Sequence, residues 1–169
     1  SFFGYARPGG RGAGTRNYLV VLGTSSRTSS FARSLVARCG DVQAPGIDGI
    51  VAIAHTEGGG SDRPNNAECV LRTLAGFIVH PNVGAVLAVD YGAEAINNRT
   101  LERYMAQHNY PLTHVPYRFL TIDGGFQAQL EIGERQLRLW LGQVQTERRL
   151  LPLRHLRLAL QCGGSDAFS

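Results

Sequence analysis

Tyr18-Leu19-Val20-Val21-Leu22, followed at once by Gly23-Thr24-Ser25-Ser26, is the stretch on which the fold turns. Apolar residues on consecutive positions suit a strand covered on both faces, as in a parallel sheet. The same sequence of apolar run and polar, glycine-bearing loop recurs along the chain. Gly49 to Ala54 leads into His55-Thr56-Glu57-Gly58-Gly59-Gly60, and Ala85 to Val89 leads into Asp90-Tyr91-Gly92-Ala93-Glu94. Phe119 to Ile122 leads into Asp123-Gly124-Gly125, and Leu156 to Leu160 leads into Gln161-Cys162-Gly163-Gly164-Ser165-Asp166.

Helical patterns fill the intervals. Ala67, Val70, Leu71, Leu74 and Ile78 recur at the helical period behind Pro64 and Asn65, and His80-Pro81-Asn82 stops the pattern because proline cannot continue the ladder. Leu130, Leu137, Leu141 and Val144 form a similar stripe, while Phe31 to Cys39 and about Asn98 to His108 are the other two helices. Strands alternating with helices predict an α/β fold: a three-layer, open, mainly parallel and Rossmann-like sheet of about five strands with flanking helices. The expected boundaries are an N-terminal arm at 1–17, an α/β domain at 18–161 and the start of a following region at 162–169. In such a sheet ligands bind outside the carboxyl ends of the strands, where every one of these loops is expected to lie.

Composition narrows the classes. The chain has 169 residues, 43% hydrophobic and 18% charged, which fits one folded domain and not a disordered segment. No apolar run approaches the roughly 20 residues that span a bilayer, so no membrane association is expected. The net charge is +4 and every one of the 17 basic residues is arginine, scattered without a polybasic block. Nucleic acid is therefore not the expected partner, and a small anionic substrate is. Cys39, Cys69 and Cys162 are widely spaced and odd in number, which points to reduced thiols in the cytoplasm, with Cys39 and Cys69 read as buried helix residues. The start at Ser1, without methionine or a secretory layout, reads as a trimmed chain.

Within the loops, His55 and Glu57 stand two apart, a spacing at which one divalent metal can be shared or a base paired with its orienter. Gly58-Gly59-Gly60 offers free amides to an anion, although no lysine follows to make a P-loop. Asp90 and Glu94 bracket another loop and can pair for acid–base work or hold a metal. Cys162, Ser165 and Asp166 place a thiol, a hydroxyl and a carboxylate together, and Arg16 can clamp a carboxylate through two parallel hydrogen bonds.

Longer motifs carry a family resemblance. Gly4-Tyr5, with Arg11-Gly12-Ala13-Gly14-Thr15-Arg16-Asn17-Tyr18, resembles a segment of the altronate and galactarate dehydratases, relatives of the sulfolactate sulfo-lyase large subunit. So do His55-Thr56-Glu57-Gly58, Arg72-Thr73-Leu74-Ala75-Gly76 with His80-Pro81-Asn82-Val83, and Leu160 through Ser169. The resemblance implies the central domain of a hydro-lyase for an aldonate or aldarate, with further domains on both sides and a homo-oligomer allowed. It also implies a divalent metal, Fe(II) or Mn(II).

The chain departs from the family at its loop cysteines. Arg27-Thr28, Gly58-Gly59-Gly60 and Gly92-Ala93-Glu94 stand where the family has cysteine, which leaves Cys162. The expected catalytic set is His55, Glu57, Cys162 and Asp166. Arg16, Asn17, Thr24, Gly59 and Ser165 are expected to bind substrate, and His55, Glu57 and Glu94 to hold the metal. A sulfo-lyase, or a sugar-acid-binding relative without chemistry, remains the alternative.

Overall fold

A computed structural model describes residues 1–42 and 44–160. Strands β1 (Phe2–Arg7), β2 (Gly12–Gly14) and β3 (Tyr18–Gly23) lead into helix α1 (Ser29–Cys39). Strand β4 (Gly49–Ile53), helix α2 (Ala67–Ile78), strand β5 (Val83–Asp90) and helix α3 (Asn98–Gln107) follow. Strand β6 (Tyr117–Thr121), helix α4 (Phe126–Gln143) and the short strand β7 (Arg149–Leu151) complete the order. Among the described residues no helix is long and apolar enough to cross a membrane.

The main sheet is parallel, in the order β4-β3-β5-β6, with Val20 opposite both Val51 and Val86. All eight residues of β5 are buried, as the unbroken apolar run requires of a central strand. Successive side chains point to opposite faces, so β3 and β5 each feed two cores. Leu19, Val21, Leu87 and Val89 pack against Leu35 of α1 and Leu137 and Trp140 of α4. Val20, Leu22, Val86 and Ala88 pack against Leu74 and Ile78 of α2 and Leu101 and Met105 of α3. Gly133 lets α4 approach α1, since a Cβ there would sit 2.6 Å from a Leu35 methyl.

One expected strand is not formed. Leu156–Leu160 carries no regular structure, and among the described residues the parallel sheet has four strands against an expectation of about five. That run alternates leucine with Arg157 and Ala159 and lacks the consecutive apolar pattern of a strand covered on both faces. After α4 the chain instead pairs β7 antiparallel with β1, whose other edge carries β2. Cys69 likewise departs from expectation: it is exposed on α2, whereas Cys39 is buried. Position 69 falls on the solvent side of the α2 stripe formed by Val70, Leu74 and Ile78.

The small sheet is fastened to the amino edge of the large one by arginines. Arg11 is buried, and its guanidinium donates to the carbonyls of Val79, His80, Val83 and His114 at 2.7–3.3 Å. Burial lowers its pKa to about 10, so it stays charged at neutral pH. Arg7 donates to the Pro81 carbonyl and to Asn17 Oδ1, both at 2.7 Å. Asp48, just ahead of β4, accepts from the Asn17 amide, the Tyr5 hydroxyl and Arg148.

At the opposite edge, Asp90 ends β5 and fixes the start of α3 by accepting the Asn98 amide at 2.6 Å. Asp90 Oδ1 and Asn98 Oδ1 are buried and have no hydrogen-bond partner among the described residues. Burial pushes the Asp90 carboxyl up, against the amide bond from Asn98 that pulls it down.

Arg11→Met should remove four guanidinium bonds to backbone carbonyls, the one to Val83 fully buried, and cost about 3 kcal/mol, a fall in Tm of about 6–12 °C. Arg16→Ala should leave Tm within about 1 °C, because that side chain is exposed. Thermal unfolding of both variants checks the contrast. Asp90 offers a second check. The folded state holds the Asp90 proton to higher pH than the unfolded chain, so this residue contributes less stability as pH rises above the ordinary carboxylate range. Asp90→Asn should therefore raise Tm at pH 7, with the gain shrinking as pH falls towards about 4 and absent below it. A gain that stays constant across a pH series of melts would refute this account.

Candidate functional site at the carboxyl edge of the sheet

Parallel strands deliver their following loops to one edge. The β3–α1, β4–α2, β5–α3 and β6–α4 loops therefore share the carboxyl edge of the sheet. The first two are tied together by three hydrogen bonds. The Ser26 amide donates to the Glu57 carbonyl (2.8 Å), the Ser29 hydroxyl to the His55 carbonyl (2.6 Å), and Arg27 Nε to the Gly59 carbonyl (2.8 Å). Glycine at 59 allows this close approach, because a Cβ there would meet Ser26 Oγ and force that hydroxyl to turn away.

His55 is half-buried between these loops. The Glu57 amide, which can only donate, points at Nδ1 (3.2 Å), so Nε2 carries the proton and donates to the Gly23 carbonyl (3.0 Å). Both ring nitrogens are thus engaged by backbone. Glu57 is exposed, with Oε2 accepting from Asn66 Nδ2 at 2.6 Å. A cleft of about 220 Å3 opens beside this pair, lined by Ile53, His55, Glu57, Asn66, Cys69 and Phe77 among others. Its wall is largely apolar.

The expected site residues divide by location. Thr24, His55, Glu57, Gly59 and Glu94 stand at the carboxyl edge. Thr24 is buried and spends both its amide and its hydroxyl on the Val89 carbonyl. Glu94 is also buried and turned inward, accepting the Ser25 hydroxyl (3.2 Å) and the Tyr91 amide (3.1 Å).

Arg16 and Asn17 lie at the other end of β3, whose six residues at about 3.3 Å each separate them from the loops by roughly 20 Å. Arg16 is exposed and bonds the Thr15 carbonyl. Asn17 is buried, and its side chain is saturated by Gly46, Val144 and Arg7. Cys162, Ser165 and Asp166 lie outside the described residues.

The metal set fares differently from the loop set. Among the described residues no three histidine, cysteine, aspartate or glutamate side chains converge as metal ligands. His55 has no free ring nitrogen, and the Glu94 carboxylate is buried and turned inward onto the Ser25 hydroxyl and the Tyr91 amide. These residues as arranged do not fit a divalent metal. Burial also pushes the Cys39 thiol up, away from the thiolate a soft metal would need.

Sequence reasoning overlooked Ser26, Ser29 and Arg27 as the bonds that join the two loops. For Arg27 a signal existed, since it sits in the loop after the first strand, on the expected ligand side.

The family described as D-galactarate dehydratase/Altronate hydrolase, second domain, matches residues 4–145. An altronate dehydratase of Bacillus subtilis (strain 168) is 30% identical, and the match covers 100% of this chain and 33% of that protein. An altronate dehydratase of Escherichia coli (strain K12) is 28% identical over 92% of this chain and 31% of its own length. The chain thus spans about a third of the length of these curated relatives. No solved structure matches the chain. With residues 4–145 covered, the chain belongs to the D-galactarate dehydratase/altronate hydrolase second-domain family.

Proposed function

We propose that this chain forms part of a sugar-acid dehydratase that removes water beta to the carboxylate of an aldonate or aldarate. The observation that carries the reading is the lashing of the His55–Gly59 loop to the Ser26–Ser29 turn at the carboxyl edge. It presents an imidazole and an exposed carboxylate at the mouth of a cleft. The names of the relatives support the same chemistry.

Such a reaction removes the proton alpha to the carboxylate, forms a carbon–carbon double bond and expels hydroxide from the beta carbon. Hydroxide leaves as water once it gains a proton, and the enol rearranges to a 2-keto-3-deoxy acid. Glu57 is the proton acceptor in this reading, because its carboxylate is exposed and steadied by Asn66. His55 orients it by holding the Glu57 amide and the Gly23 carbonyl together. Asp166 or Cys162 supplies the proton to the leaving group. No step is assigned to Fe(II) or Mn(II), since the described residues do not fit it. The rest of a polypeptide as long as the relatives, and a homo-oligomer, are the proposed partners. Free Cys39 and Cys69 support a reducing, cytoplasmic setting.

One observation favours a second reading. Both nitrogens of His55 are occupied by backbone, which suits a relative that binds sugar acids without turning them over.

The test is keto-acid release from altronate and galactarate by the full-length protein, with and without added iron or manganese. Glu57→Gln should lower kcat by about 100-fold or more while KM changes little. Absence of product across a panel of aldonates and aldarates would end the enzyme reading, and calorimetric binding without turnover would select the second one.

A further inference from the structure

A sugar-acid site needs a cation for the carboxylate, and the arginine expected to provide it, Arg16, stands at the wrong edge of the sheet. We propose that Arg27 is the carboxylate-binding residue of the carboxyl-edge site, held through Nε on the Gly59 carbonyl and offering its terminal nitrogens to the substrate. The inference rests on the sugar-acid reading above and names a specificity-determining residue within it.

Position and immobilisation both support the assignment. Arg27 lies in the short turn Ser26–Thr28 between β3 and α1, beside the loop that carries His55 and Glu57. Its side chain is exposed, so a ligand can reach it. It is nonetheless fixed: Nε donates to Gly59 at 2.8 Å, and the neighbouring Ser26 amide closes on Glu57. A Cβ at position 59 would lie 3.2 Å from Arg27 Cγ, which shows how closely the two loops are packed at the base of the side chain.

Only one of the five guanidinium N–H groups is consumed by that bond. The two terminal nitrogens remain as a parallel pair, the arrangement that grips both oxygens of a carboxylate. Among the described residues the side chains of Arg63 and Arg99, which also lie in or beside loops at this edge, make no hydrogen bond to hold them in place. A free arginine loses more side-chain entropy on binding than one already anchored. The amino end of α1, an 11-residue helix directly after the turn, adds partial positive charge of the same sign.

The experiment is calorimetric titration of the full-length protein with galactarate and with the neutral polyol galactitol. Wild type, Arg27→Ala, Arg27→Lys and the rival Arg16→Ala are compared, with melting curves to confirm folding. Arg27→Ala should weaken galactarate binding at least about tenfold, with no change for galactitol. Arg27→Lys should recover part of the loss, because charge returns without the paired geometry. A merely structural role would shift Tm and affect acid and polyol alike. Galactarate affinity unchanged in Arg27→Ala, or lost in Arg16→Ala instead, overturns the assignment while the sugar-acid reading stands. A wild type that binds and converts no sugar acid overturns both. Should Arg27→Ala fail to fold, Arg27→Gln carries the same comparison.

Discussion

Parallel pairing of β3 with β4 on one side and β5 on the other is the constraint from which the rest follows. Three strands running the same way in register send three successive loops to the same edge, and three helix entries with them. Had β4 run antiparallel to β3, the His55 loop and the Ser25–Ser29 turn would stand at opposite ends of the sheet. The pairing holds because β5 is buried along its whole length and β3 along nearly all of it. Every residue of these strands must be satisfied by ladder hydrogen bonds and apolar neighbours, which leaves little freedom in register. Chemistry at the edge inherits that rigidity.

The two edges of the sheet handle polarity in different ways. At the amino edge, charge is absorbed: the Arg11 and Arg7 guanidinium groups, Asn17 and Asp48 bind backbone and one another. At the carboxyl edge the loops are joined mainly through backbone carbonyls, and the side chains of Arg27 and Glu57 are left towards solvent. One edge is mortar and the other is a surface. Asp90 belongs to the second edge but is buried and faces inward, as does Glu94.

Much of the fold was legible in the sequence because apolar runs and proline stops report on burial directly. Helix α2 runs from Ala67 to Ile78, between the punctuation at Pro64 and at His80-Pro81. Strands β3, β4 and β5 coincide with their runs to within two residues. The leucines at 156–160 misled because hydrophobicity alone does not supply a pairing neighbour. For the site, chain order located the loop residues but not the direction of their side chains. Glu94 turns inward because the Tyr91 amide and the Ser25 hydroxyl fill its oxygens, a loop closure that spacing does not encode. Arg16 was read from its guanidinium chemistry, although a residue ahead of a strand belongs at the strand's amino end. Arg27 stands in an expected ligand loop, but its anchor, Gly59, is 32 positions away, and spacing does not join the two.

Leu158 and Leu160 are 77% and 89% exposed, in a stretch whose backbone belongs to no strand or helix. Leu150 and Leu153 lie nearby in the chain with similar exposure. Bare leucines in succession form an adhesive ribbon, the kind that recruits a neighbouring molecule when nothing shields it. Handled alone at high concentration, these 169 residues should tend to clump through this ribbon, and the remedy is to shield or polarise the leucines, leaving the core unchanged.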